Sequence, residues 1–116
     1  MKLCLIGSTR FKDLYHAANR KLTADGHIVY TVAFISSEGV PTEVREEEKI
    51  ILDLVHLRNI EESDAVVLIT DETGYVGFST KREIQWAQLR NKLIYEGPED
   101  VPGIFYEVYR GQGKVV

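Results

Sequence analysis

Glu83 is the residue around which chemistry is easiest to imagine in this chain. It lies three and four residues beyond a Thr80-Ser79 pair, and these follow a glycine loop, Gly74-Tyr75-Val76-Gly77. The run Ala65 to Ile69 precedes the loop and reads as a buried strand, while Ile84 and Ala87 follow at helical spacing. The expected geometry is strand, glycine loop, helix. In that geometry Ser79 and Thr80 stand at a helix start, where a side-chain oxygen caps free N–H groups and the helix end attracts anions. Glu83 then falls in the first turn, near the carboxyl ends of the strands, where open α/β sheets bind ligands. A second reading involves no ligand: Ser or Thr followed three residues later by Glu is also a capping box.

A second loop of similar character opens the chain. Gly7-Ser8-Thr9-Arg10 follows the short apolar strand Leu3 to Ile6 and combines a tight glycine turn, two hydroxyls and a guanidinium able to clamp phosphate. Phe11, Leu14, Tyr15, Ala18 and Leu22 then share one helical face, and Gly26 ends that helix. His27 to Phe34 reads as the second strand, and Ser36 to Pro41 as a loop with Thr42 as N-cap of the next helix. That helix carries Ile50, Leu54, Leu57 and Ile60 on one stripe, with Glu46-Glu47-Glu48 on a solvated face. It also bears Asp53, His56 and Arg58. After the third strand and the Glu83 helix, which runs to about Asn91, Lys92 to Tyr95 reads as a fourth strand. Gly97 to Gly103 is a loop, Ile104 to Tyr109 an edge strand, and the tail from Gly111 has no core pattern. His16 and His27 show no partnering pattern and are expected to be structural or exposed.

This alternation predicts an α/β fold: a doubly wound, flavodoxin-like (Rossmann-like), mostly parallel sheet of about five strands in the order 2-1-3-4-5. The ends of strands 1 and 3 would be neighbours at the switch point, with both glycine-hydroxyl loops facing one crevice. At 116 residues the chain is expected to be a single domain, 1–116. Its 44% apolar and 28% charged composition is that of an ordinary globular protein. The net charge of −4 argues against a nucleic-acid backbone binder. No apolar run approaches a bilayer span, the first residues lack the shape of a signal peptide, and the lone cysteine, Cys4, cannot form an internal disulfide. A cytoplasmic location is expected, with no membrane partner, no cofactor and no metal.

The residues resemble those of the nucleoside 2-deoxyribosyltransferase superfamily, which includes the deoxynucleoside 5′-monophosphate N-glycosidases. The resemblance covers roughly residues 2 to 96. It rests on Leu5-Ile6-Gly7-Ser8-Thr9-Arg10, on Glu61-Glu62-Ser63-Asp64-Ala65-Val66-Val67, and on the glycine loop leading to Glu83-Ile84 and Ala87. It is similar above all to small bacterial and phage proteins with a Gly-Tyr-Ile/Val-Gly-x-Ser-Thr-x-x-Glu-Ile motif. The resemblance implies that Glu83 is a nucleophile toward the anomeric carbon of a deoxyribose, forming a glycosyl-enzyme that water or a second base resolves. It implies a 5′-phosphate held by Gly7, Ser8, Thr9 and Arg10, and on the second loop by Gly77, Ser79 and Thr80. It also implies a homodimer or higher homo-oligomer.

Two positions depart from that pattern. Counting back from Gly7 puts Cys4 where the family has a tyrosine that orients the nucleophile, and His56 stands where the family has an aspartate. An imidazole gives and takes protons near neutral pH, so His56 could protonate a departing base, with Asp53 one turn earlier as fallback acid or orienting partner. The same substitution fits altered or lost chemistry. Phe11 and Tyr75, and with them Phe78 or Trp86, could stack on a base. The expected function is therefore cleavage or transfer at the N-glycosidic bond of a (deoxy)nucleoside or its 5′-monophosphate. The alternatives are a non-catalytic nucleotide-binding or nucleotide-sensing module and an interaction domain with an empty crevice.

Overall fold

The computed structural model describes residues 1–34 and 38–104 of the chain. Four parallel strands, β1 (Lys2–Gly7), β2 (Ile28–Tyr30), β3 (Ala65–Ile69) and β4 (Leu93–Tyr95), form one sheet in the order β2-β1-β3-β4. Three helices cover it: α1 (Lys12–Ala24), α2 (Thr42–Glu62) and α3 (Phe78–Leu89). This is the flavodoxin-like arrangement that the alternation of apolar segments predicts. The expected fifth strand, Ile104 to Tyr109, lies outside the described residues except for Ile104. That residue is not in a strand, and its N–H donates to the Asp25 carbonyl.

The sheet is buried on both faces, which explains why β1 and β3 are almost continuously apolar. Side chains alternate along them. Leu3, Leu5, Ala65, Val67 and Ile69 pack with Tyr15, Ala18 and Leu22 of α1. Cys4, Ile6 and Val66 pack on the opposite face with Ile60 of α2 and Ala87 of α3. Each fully buried aliphatic side chain contributes about 1.5–3 kcal/mol, so these central residues carry much of the fold.

Several elements differ from the sequence expectation, each for a tertiary reason. The second strand is only Ile28–Tyr30, not His27 to Phe34. His27 is buried between elements: its Nδ1 accepts from the Met1 amino group and its Nε2–H donates to the Pro102 carbonyl. Thr31 to Phe34 leaves the sheet. The first helix is preceded by a 3-10 turn, Thr9–Phe11, and Leu14 is 40% exposed, outside the core stripe. Thr42 is the first residue of α2 rather than its cap; Pro41 holds the cap position, and the Thr42 hydroxyl accepts from the Arg45 guanidinium. The largest difference concerns the apolar stripe of α2. Ile60 is buried and Leu57 packs partly against the core, but Ile50 and Leu54 are 62% and 56% exposed. The sheet supports only the C-terminal half of this long helix, so the earlier turns have nothing beneath them.

The register of β1 on β3 runs from Leu3↔Ala65 to Gly7↔Ile69. At its end a Cβ on Gly7 would lie 2.3 Å from the Ile69 carbonyl oxygen, and the Gly7 φ of +152° is one that side-chain-bearing residues avoid. Tyr15, fully buried, donates its O–H to the Gly7 carbonyl at 2.7 Å. Only glycine fits this position. Gly7→Ala is expected to lower unfolding free energy by about 1–3 kcal/mol or more, combining strained backbone with a backbone clash. Urea denaturation measures it, and an unchanged midpoint would show that the strand ends can separate without cost.

Candidate functional site

The doubly wound order puts the carboxyl ends of β1 and β3 side by side, and the loops that leave them face one cleft of about 700 Å³. Gly7, Ser8 and Thr9 come from the first loop, and Tyr75, Gly77, Phe78, Ser79 and Thr80 from the second loop and the start of α3. His56 and Asp53 reach the cleft from α2, and Glu83 from the first turns of α3. Eleven of the residues singled out by sequence thus converge.

Local sequence explains how each loop is built. Asp71 organises the turn after β3: its carboxylate accepts from the Thr73 N–H and hydroxyl, and its carbonyl from Gly74 N–H. Gly74 has a φ of +70°, which the turn requires. The Thr70 hydroxyl then donates to the Tyr75 carbonyl. At the start of α3 the cap residue is Gly77, with no side-chain cap. The capping box is therefore absent. Ser79 and Thr80 lie inside the first turn, Ser79 exposed and Thr80 buried, and Glu83 is free to make a different contact.

That contact is with His56. The imidazole Nε2–H donates to Glu83 Oε2 at 3.0 Å, with side-chain exposures of 9% for the histidine and 15% for the glutamate. The other ring nitrogen, Nδ1, is buried and has no partner. Among the described residues Glu83 Oε1 accepts no hydrogen bond, so one carboxylate oxygen is oriented and the other is available. A bond of this kind fixes the orientation of the carboxylate.

Beneath the pair lies Cys4, fully buried. Burial first, and the negative charge of Glu83 second, push its thiol up to about 12, so it is a neutral core residue rather than a nucleophile. The phenol of Tyr15 is raised by the same causes in the same order. A buried tyrosine thus does feel Glu83. It comes from α1, and its hydroxyl is committed to the Gly7 carbonyl.

Other expected site residues are placed differently. Arg10 does not line the cleft; its guanidinium lies 3.8 Å above the Tyr75 ring, and Phe11 meets the same ring edge-on at 6.3 Å. Both brace Tyr75. The Ser8 hydroxyl accepts from the Arg10 N–H, capping the 3-10 turn. Asp53 lines the cleft but is exposed and makes no hydrogen bond to His56, so it does not orient the imidazole. Phe78, 77% exposed, is on the cleft rim rather than in the core. Trp86 is absent from the lining and packs under the Arg90 guanidinium at 3.5 Å. His16 is exposed, its ring tilted against Phe34.

The wall formed by α2 and by the chain after β2 was not anticipated. Thr31, Val32 and Ala33 line the cleft, as do Arg45, Glu48, Lys49, Leu52, Val55 and Asn59. The signal for the α2 members is their helical spacing from His56: Arg45, Glu48, Lys49, Leu52 and Asn59 lie on the same side of a 3.6-residue helix.

The search of solved structures finds a 2-deoxyribosyltransferase from Bacillus psychrosaccharolyticus, with a TM-score of 0.58 and 19% sequence identity, covering 81% of this chain and 69% of that one. No family model and no curated protein matches the chain. The structural match establishes a shared fold. Among the described residues no helix is long and apolar enough to cross a membrane.

The Cys4 environment makes a stability prediction. In the unfolded chain the thiol ionises near its ordinary value of 9.0, whereas the folded protein holds the proton to about 12. The stabilisation is therefore complete below about pH 9 and is lost as pH rises towards 12. Urea midpoints measured from pH 8 to 11 should fall more steeply for the native chain than for Cys4→Ala. The native thiol should resist alkylation at pH 8 until the protein is unfolded.

Proposed function

We propose that the protein cleaves or transfers the N-glycosidic bond of a deoxynucleoside or its 5′-monophosphate, with Glu83 as nucleophile. The observation that carries this reading is the Glu83–His56 pair at the meeting point of two glycine-hydroxyl loops: one carboxylate oxygen fixed, the other open to the cleft. The fold shared with a 2-deoxyribosyltransferase supports the same class of substrate.

In the first step Glu83 Oε1 attacks the anomeric carbon of the sugar. The bond from that carbon to the base nitrogen breaks, and its electron pair leaves with the base. His56 holds the other carboxylate oxygen in place before attack. As the ester forms, Glu83 loses its charge, and a protonated His56 gives its proton to the departing base. In the second step water attacks the same carbon and gives its proton to the now neutral His56, while the Glu83 ester bond breaks and returns the carboxylate; a second base that loses its own N–H proton to His56 in place of water gives transfer. Ser8, Thr9, Ser79 and Thr80, with the N–H groups of the uncapped α3 start, are suited to the 5′ end of the substrate. Tyr75, which lines the cleft, offers the base the ring face that Arg10 does not cover. The active form in this reading is a homo-oligomer in the cytoplasm.

Incubation with a panel of deoxynucleoside 5′-monophosphates, followed by chromatography for free base, tests the reaction. Base release that Glu83→Gln abolishes is the expected outcome. Tight binding of a nucleotide without release would replace the enzyme with a binding module. His56→Asn is expected to slow release by about 10²–10⁴-fold, the range for a general acid, and to remove the alkaline limb of the pH–rate profile. The loss should be smaller for bases that leave readily without a proton. A His56→Asn protein with an unchanged profile would leave the histidine no part in the proton transfer.

Arg10 provides a second test. If it leaves Tyr75 to clamp a 5′-phosphate, Arg10→Ala should weaken monophosphate binding by about 1.5–3 kcal/mol while sparing the matching nucleoside. Equal losses for the two ligands, measured by calorimetry, would mean that it acts by bracing Tyr75.

A further inference from the structure

The half of α2 that the sheet does not support forms one wall of the cleft, and its charges are unevenly placed. Its two cations, Arg45 and Lys49, both line the cleft, whereas Glu43, Glu46 and Glu47 do not. At 3.6 residues per turn each cation falls within about 20° of His56 on the same side of the helix. Glu48 and Asp53 also line the cleft, about 80° and 60° to either side of that line. Carboxylates are within helical reach of both cations. Glu48 follows Arg45 by three residues, and Glu46 and Asp53 flank Lys49 at three and four. Yet neither cation makes an ion pair among the described residues, and the Arg45 guanidinium donates to the neutral Thr42 hydroxyl.

Nothing within the helix favours this placement. Like charges four residues apart repel, and Arg45 lies a turn from the N-terminus, where the helix dipole opposes positive charge. An anion held between the two side chains offsets both effects. The lining that follows β1 and β2, Gly7 to Thr9 and Thr31 to Ala33, carries no carboxylate to repel one. Position along the helix then limits what the anion is. Lys49 stands about 10 Å and Arg45 about 16 Å from His56 along the axis. A 5′-phosphate is only a few bonds from an anomeric carbon at Glu83, so it stays beside the hydroxyls of the two loops. The cations are placed for a phosphate farther out, and a cleft of about 700 Å³ has room for it.

We propose that Arg45 and Lys49 form a second phosphate subsite, so that the ligand of the cleft is a nucleotide with phosphate beyond the first, such as a deoxynucleoside 5′-triphosphate. The inference rests on the nucleotide reading of the preceding section but not on its chemistry, because its test reads binding alone.

Titration calorimetry on Glu83→Gln, which leaves the glycosidic bond intact, provides the test. It compares a deoxynucleoside 5′-monophosphate with the 5′-triphosphate and the 3′,5′-bisphosphate of the same base. Added phosphate should tighten binding by at least about tenfold, the scale of one charge-assisted hydrogen bond. The ligand that shows the gain tells where the outer phosphate is attached. In the same background Arg45→Ala and Lys49→Ala should each shrink the gain, and the double variant should abolish it. Arg58→Ala, which takes the same charge from the opposite side of α2, should leave the gain as it is. Should Glu83→Gln fail to fold, the native chain titrated with inorganic tripolyphosphate and with phosphate reads the same two cations. A triphosphate and a bisphosphate that bind no tighter than the monophosphate overturn the subsite and leave the nucleotide reading standing. A gain that survives the double variant, or that Arg58→Ala lowers equally, overturns the subsite as well. Failure of every nucleotide to bind overturns both readings. A gain without base release from the native protein would count against catalysis alone.

Discussion

The close pairing of β1 with β3 is the constraint on which the rest depends. Five consecutive register partners bring the two strand ends so near that Gly7 has no room for a side chain beside the Ile69 carbonyl. Both hydroxyl-bearing loops of the cleft leave the sheet within a few residues of that point. One loop departs after Gly7 and the other after Ile69, and their separation is fixed by the spacing of adjacent strands, about 4.8 Å in the hydrogen-bonding direction. The two hydroxyl-bearing loops therefore act as one surface. Tyr15 strengthens the arrangement from the other face of the sheet by holding the Gly7 carbonyl from a helix that never enters the cleft.

The second determinant is the junction of α2 and α3, which supplies the titratable pair. Ile60 and Ala87 bury against the same strands, and Glu61 forms an ion pair with Arg90 at 3.2 Å on the outside of the junction. That ion pair is partly solvated and contributes little energy by itself. Its geometry nonetheless ties the two helices near the turns that carry His56 and Glu83. A carboxylate held by a histidine on a different helix is sensitive to helix position in a way that a capping box, confined to one turn, is not.

The parts of this structure legible in sequence are those where a local pattern and the tertiary outcome have the same cause. The runs Leu3 to Ile6 and Ala65 to Ile69 are apolar because they are covered on both faces, and their order followed from the alternation with helices. The glycine-hydroxyl loops were legible because a tight turn after a strand needs those residue types. The outcome differed wherever the partner lay elsewhere in the chain. Ile50, Leu54, Leu57 and Ile60 form one stripe, but periodicity cannot say how far along it the sheet extends; support ends near Leu57. Arg10 beside a glycine turn suggests a phosphate clamp, yet the Tyr75 ring, sixty-five residues on, provides a face for its guanidinium. Asp53 stands one turn from His56 in sequence, yet the imidazole turns to Glu83 on another helix. The Arg45 and Lys49 wall was missed because the N-terminal half of α2 looked like an ordinary solvated surface.

Trp86 is the sole tryptophan of the chain and lies one turn beyond Glu83 on α3, with the Arg90 guanidinium stacked on its ring. Arg90 is in turn the residue that reaches across to α2. The indole thus sits at the seam between the two helices that carry the pair, outside the cleft and away from any base that would quench it by contact. Its emission is a built-in optical gauge of how those helices sit on one another. A ligand that altered the distance between His56 and Glu83 by shifting α2 against α3 would disturb the cation–π stack and change the fluorescence. A ligand that only filled the cleft would leave the signal as it was.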